Sequence, residues 1–169
     1  MLRILNKIQR IGIITEPVPA ADEPALTEMG ERLKARVGEM FGGSLAIRQV
    51  DAGSCNGCEL EIHALNNPFY GIERFGVHFV ASPRHADMLL VTGPVSRHME
   101  AALRRTYDAT PEPKLVIAVG ECGASGGEFG VSYASCGAVA NVIPVDAVIR
   151  GCPPTPLELM RGILAAINK

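Results

Sequence analysis

Leu115-Val116-Ile117-Ala118-Val119-Gly120-Glu121-Cys122-Gly123 decides how the chain reads. Five apolar residues without polar alternation describe a strand buried on both faces, as at the centre of a parallel sheet covered by helices. A glycine and a cysteine follow where the chain must leave that sheet. Working outward, Leu45–Val50, Val77–Val80 and Met88–Val91 read as further strands. Asn141–Val145 is a weaker one, and Pro144 assigns it to an edge or an end. Helix-length stretches separate these runs. Glu59–Asn66 is one, ended by Asn67-Pro68; Ser96 caps another through Tyr107, with Met99, Ala102, Leu103 and Tyr107 on one face and Glu100 and Arg104 as an i,i+4 pair. The last helix starts on Thr155, with Pro156 at its first position and Glu158 completing a capping box, and runs through Met160, Ile163, Leu164 and Ile167. Strands alternating with helices imply right-handed crossovers. The expected class is therefore α/β, an open, mainly parallel sheet with helices on both faces.

In such a sheet, ligands gather beyond the carboxyl ends of the strands. Cys55 and Cys58, in Gly53-Ser54-Cys55-Asn56-Gly57-Cys58-Glu59, follow the first strand, and Cys122 follows the central one. Cys152, in Arg150-Gly151-Cys152-Pro153-Pro154, follows the last extended segment. Topology thus places four thiols at one edge, and the expectation is one iron–sulfur cluster held by Cys55, Cys58, Cys122 and Cys152. Gly53, Gly57, Gly120, Gly123 and Gly151 let backbone approach the sulfides closely. Pro153-Pro154 fixes the turn after Cys152.

Other chemistries use the same residues. Structural zinc also takes four cysteines, usually as two close pairs, whereas here two ligands stand alone. A redox dithiol would explain Cys55 and Cys58 and leave Cys122 and Cys152 idle. A buried structural thiol is the reading for the fifth cysteine, Cys136, although it could replace Cys122 as a ligand. Glu59 and Glu61 flank the cluster loop: an acid there either carries protons or complements the helix dipole. The dipole reading suits Glu61, and Glu59 is a candidate for proton transfer. His63, His78, His85 and His98 form no spaced pair, and Arg84 and Arg97 read as surface charges. No Gly-Lys-Ser/Thr closes the glycine-rich run from Gly120 to Gly127, so it is not a nucleotide loop.

Composition narrows the function. The 169 residues are 47% apolar with a net charge of −2, which suits one well-cored domain and no nucleic-acid footprint. Without a leader-like apolar segment at the N-terminus, the thiols read as metal ligands rather than disulfides. No apolar run is long enough to span a bilayer.

Leu2, Leu5, Ile8 and Ile11 share a helical face in Met1–Ile14, with Arg3, Lys7 and Arg10 elsewhere. This is a basic amphipathic helix that suits a membrane surface, a hydrophobic partner or the chain's own core. Three prolines make Glu16–Pro24 a linker or extended arm, and Thr27–Phe41 reads as a helix closed by Gly42-Gly43. Residues 1–43 are thus a docking segment and residues 44–169 the cluster-binding α/β domain.

Several of these stretches together resemble a known family. Ser54-Cys55-Asn56-Gly57-Cys58-Glu59, Ser82-Pro83-Arg84-His85-Ala86-Asp87, Val91-Thr92-Gly93-Pro94-Val95, Val119-Gly120-Glu121-Cys122 and Gly151-Cys152-Pro153-Pro154 are similar to the small subunit of membrane-bound [NiFe] hydrogenases and its homologue, the 20 kDa (NuoB) subunit of respiratory complex I. The resemblance implies a flavodoxin-like fold holding one [4Fe–4S] cluster through the four cysteines already named. The complex I subunit has adjacent cysteines at the first pair, whereas Asn56-Gly57 separates them here, as in hydrogenases. No cysteine follows Cys152, so a single cluster is expected, which resembles the energy-converting group of Ech, CO-induced and formate-hydrogenlyase type. The acid implicated in proton transfer in [NiFe] hydrogenases falls at Leu60, with acids on either side. The partners so implied are a [NiFe] hydrogenase-type large subunit, a ferredoxin-like iron–sulfur subunit and membrane subunits, at the cytoplasmic face of the membrane. A complex I-like oxidoreductase is the alternative, and a zinc-stabilised scaffold without redox activity the second.

Overall fold

The computed structural model describes residues 2–12 and 23–168. Seven strands lie among them: β1 (Leu45–Asp51), β2 (Val77–Phe79), β3 (Met88–Thr92), β4 (Val95–Ser96), β5 (Leu115–Val119), β6 (Ser135–Gly137) and β7 (Ala147–Ile149). The α-helices are α1 (Leu2–Ile11), α2 (Glu23–Phe41), α3 (Gly57–Ala64), α4 (Arg97–Ala109), α5 (Gly120–Ser125) and α6 (Pro156–Ile167). Five strands form one parallel sheet in the order β2-β1-β3-β5-β7, and β4 and β6 form a separate antiparallel ribbon. Counted within the sheet, that is the flavodoxin order, whose switch point lies between β1 and β3.

The strands lack alternation because both faces are covered. Met88, Leu90, Ile117 and Val119 join Leu33 and Val37 of α2, Ile62 of α3 and Leu159 and Ile163 of α6 in one core cluster. Leu89, Val91, Val116 and Ala118 point the other way, against Leu103 of α4, Val95 of β4 and Cys136 of β6. Burying each such aliphatic side chain contributes about 1.5–3 kcal/mol, so helix and ribbon are held by the strands they hide.

Local signals set the helix ends. Ser96 accepts the Met99 N–H at 3.3 Å, and Thr155 and Glu158 close a reciprocal capping box, Thr155 N–H donating to Glu158 at 2.7 Å. α2 begins a turn earlier than the spacing of its leucines predicts, at Glu23, with Pro24 near its start, where a missing N–H costs nothing. Its Leu26, Leu33 and Val37 pack into the first core cluster. Most of the expected extended arm, residues 13–22, lies outside the described residues. In α1, Leu5, Ile8 and Ile11 are exposed rather than packed into the core.

One expectation needs correction. Asn141–Val145 is not a strand: a 3₁₀ turn covers Val139–Asn141, and Val142 and Ile143 are buried from irregular backbone. Pro144 has no N–H for a ladder, and the edge strand is instead β7, three residues long. The glycine-rich segment after β5 opens with α5.

The two ends of the sheet differ. At its amino end, carboxylates stitch neighbouring strands: Ala46 N–H donates to Asp87 at 2.9 Å and Val116 N–H to Asp146 at 2.7 Å. The carboxyl end carries the cysteines.

Candidate metal centre

Three loops at the carboxyl end present the four thiols. After β1, the Asp51 carboxylate accepts the Gly53 and Ser54 N–H groups at 2.8 and 2.9 Å, and the Ser54 hydroxyl accepts the Asn56 N–H at 3.2 Å. These short bonds curl the chain so that Cys55 precedes α3 and Cys58 lies in its first turn. Asn56 takes the left-handed conformation, φ 73°, that Asn tolerates better than most residues. After β5, Cys122 lies in α5, and after β7 comes Cys152, joined to Pro153 by a cis peptide. The last two loops are tied together, Glu121 N–H donating to the Gly151 carbonyl at 3.0 Å and Arg150 pairing with Glu121 at 2.9 Å.

The thiols share one electrostatic neighbourhood. Burial, chiefly, pushes the Cys58 thiol up to about 12, with Glu59 next and then the negative charge of Cys55, Cys122 and Cys152. Cys122 is also raised, by burial first and then by Cys152 and Cys55. Topology has thus brought together all four cysteines that the sequence selects. Among the described residues, no group of His, Cys, Asp and Glu closes on a single-ion site.

Two of the sulfurs, those of Cys58 and Cys122, lie against glycines that no other residue could replace without a clash. A Cβ on Gly120, φ +79°, would stand 2.6 Å from the Cys58 sulfur, and one on Gly127 2.7 Å from the Cys122 sulfur. Real Cβ atoms do not approach so closely, so any side chain would displace a thiol. Four free thiols, two of them against bare glycine backbone, are a donor set that suits an iron–sulfur cluster. Gly127 was not among the glycines selected from sequence, and neither was Asp51. Asp followed two residues later by Gly, at a strand end, was the signal for the Asp51 turn.

Glu59 is buried, 4% exposed, and its carboxylate takes a hydrogen bond from the buried Thr92 hydroxyl at the end of β3. Its other oxygen, Oε2, is buried without a hydrogen-bond partner. Glu59 is therefore a buried acid in the first turn of α3 rather than a surface one, and Thr92 is a partner that sequence reading missed. Leu60, where hydrogenases place an acid, is 61% exposed.

The remaining residues stand apart. Cys136 is buried on the opposite face of the sheet, its thiol 3.3 Å from the Glu100 carboxylate. His63, His85 and His98 are exposed, as is Arg84, and Arg97 pairs with Glu100 at 3.5 Å.

Known proteins share the sequence and fold of this chain. Residues 55–166, which include all four cysteines and every strand of the sheet except β1, match the family described as NADH ubiquinone oxidoreductase, 20 Kd subunit. The chain is 42% identical over 152 residues to formate hydrogenlyase subunit 7 of Escherichia coli K12, covering 90% of itself and 58% of that protein. It is 43% identical over 142 residues to the probable membrane-bound hydrogenase subunit mbhJ of Pyrococcus furiosus, covering 82% of itself and 85% of that protein. Among solved structures, a chain of the membrane-bound sulfane sulfur reductase, an archaeal respiratory membrane complex, superposes with a TM-score of 0.65 at 36% identity, over 74% of this chain and 69% of that one. With the family model matched over residues 55–166 and relatives at 42 and 43% identity, the chain belongs to the family of the 20 kDa subunit of NADH:ubiquinone oxidoreductase.

Proposed function

We propose that this chain is the electron-transfer small subunit of a membrane-bound, energy-converting [NiFe] hydrogenase complex. In this reading it holds one [4Fe–4S] cluster through Cys55, Cys58, Cys122 and Cys152 and exchanges electrons with a large-subunit active site. The observation that carries the reading is the gathering of four thiols, from three separate loops, in one electrostatic neighbourhood. A bound cluster supplies a one-electron carrier. The protein's part is to hold and shield it. The two half-buried thiols, Cys58 and Cys122, resist ionisation in the metal-free chain, so ligation must displace their protons. Gly120 and Gly127 keep side chains out of the space beside the sulfurs. Glu59, buried beside Cys58 with one oxygen free, is the proposed proton carrier.

Anaerobic reconstitution of the chain with iron and sulfide tests the cluster. The expected result is a four-iron centre, seen by metal analysis and as a reducible signal in electron paramagnetic resonance. Zinc bound without iron would instead support the non-redox scaffold. Replacing Glu59 by Gln in the assembled complex should lower turnover while iron content stays unchanged.

The partners in this reading are a [NiFe]-type large subunit, a ferredoxin-like iron–sulfur subunit and membrane subunits, with this chain peripheral on the cytoplasmic side. Among the described residues no helix is long and apolar enough to cross a membrane. A second reading, a subunit of a complex I-related oxidoreductase, is favoured by the likeness to a membrane complex that reduces sulfane sulfur. Two CxxC pairs in the co-purifying large subunit would select the hydrogenase; their absence would select the alternative.

A further inference from the structure

We propose that α1 is an interfacial helix that lies on an anionic phospholipid surface, with Leu5, Ile8 and Ile11 sunk to the acyl boundary and Lys7 and Arg10 at the level of the phosphates. The three aliphatic side chains are 55, 61 and 47% exposed, and the polar side chains of α1 from Asn6 to Arg10 are exposed too, so among the described residues nothing covers this stripe. At about 100° per residue they form one stripe, and Lys7 and Arg10 fall away from Leu5. An isolated helix of 10 residues is marginal in water, and a surface that covers its apolar stripe stabilises it.

Charge selects the occupant. Every ionisable side chain in α1 is cationic, Arg3, Lys7 and Arg10, in a chain whose net charge is −2. Positive charge is concentrated on the segment whose apolar residues are exposed, and the complement to both features is a sheet of anionic headgroups over hydrocarbon. A helix of this length rises only about 15 Å against a hydrocarbon core of about 30 Å, so it lies on the bilayer and does not cross it.

The test uses the 169-residue chain sedimented with vesicles of equimolar phosphatidylglycerol and phosphatidylcholine, or of phosphatidylcholine alone. Binding is expected to the anionic vesicles, to fall steeply at high salt and to be near background on the neutral ones. Removing a cation by Lys7→Gln or Arg10→Gln should weaken binding about fivefold each. The double variant Leu5→Glu/Ile8→Glu should abolish it while the thermal midpoint, set by core clusters that neither residue joins, stays unchanged. Equal binding to both vesicle types, or full binding by Leu5→Glu/Ile8→Glu, would overturn the proposal. So would an absence of vesicle binding accompanied by loss of membrane subunits from complexes carrying that variant, which would assign the stripe to a protein partner.

Discussion

The carboxyl edge of the sheet and the β4–β6 ribbon both contain thiols that burial makes hard to ionise, yet only the edge is the proposed metal centre. At the edge, Cys58 is raised to about 12, mainly by burial, and it has three thiols for neighbours and the bare backbone of Gly120 against its sulfur. In the ribbon, Cys136 is raised by burial and then by its hydrogen bond to Glu100, and it packs among Val91, Val139 and other apolar residues of the second cluster. A perturbed thiol is therefore not the mark of the site. Juxtaposed thiols with no side chain between them are.

The largest test of that contrast removes one sulfur from each region. Cys58→Ser should reduce the iron and sulfide retained after reconstitution to background, whereas Cys136→Ser should retain the wild-type amount. Equal losses would break the comparison. Next comes the cradle. Gly120→Ala places a Cβ 2.6 Å from the Cys58 sulfur at a φ of +79°, and it should lower cluster retention about tenfold or more, as disturbance around metal ligands commonly does. Gly130→Ala is the control. Its φ is also positive, +50°, with ψ −151°, but nothing lies within 4 Å, so only backbone strain of about 1–3 kcal/mol is expected, read as a thermal midpoint lower by about 2–12 °C with iron unchanged.

Protonation gives a smaller and graded effect. An unfolded Cys58 ionises near 9.0, while in the folded, metal-free chain it stays protonated to about 12. Its folded value is raised, so stability is fully present below pH 9 and is lost as the pH climbs from there toward 12. Denaturant midpoints of the metal-free chain should therefore be lower at about pH 10.5 than at about pH 8, and Cys58→Ser should flatten that slope more than Cys136→Ser. For the same reason, iron uptake should improve as pH rises, because ligation releases the thiol protons. The smallest effect belongs to Arg150→Ala. Its pair with Glu121 joins two cluster loops at 2.9 Å but is exposed, so about 0–1 kcal/mol is at stake and iron content should not change.

What was legible in the sequence follows from the range of the forces involved. Ser96, Thr155 and Glu158 announce their helices because capping bonds span three residues. Leu115–Val119 announces its burial because no polar residue interrupts it. The β7 edge strand escaped notice because Ala147-Val148-Ile149 is too short to show a period, while Val142 and Ile143, which look more strand-like, are buried from a turn. The ribbon pairs Val95 with Gly137, and nothing local to either segment signals a partner so distant. At the site, the four cysteines were readable from their glycines and strand ends. Thr92 was not, because its bond to Glu59 joins residues that meet only once β1 and β3 are side by side.

By itself, the sequence determined the parallel α/β class, the identity of the four edge cysteines and the amphipathic character of α1, all of which are written in periods and turn residues within a few positions. Only the tertiary structure decided that Gly127 shields Cys122, that Glu59 is buried against Thr92 with one oxygen unpaired, and that Leu5, Ile8 and Ile11 are left uncovered. Those outcomes depend on which surfaces the long crossovers bring into contact, and burial is a property of the neighbours a residue acquires rather than of the residues beside it in the chain.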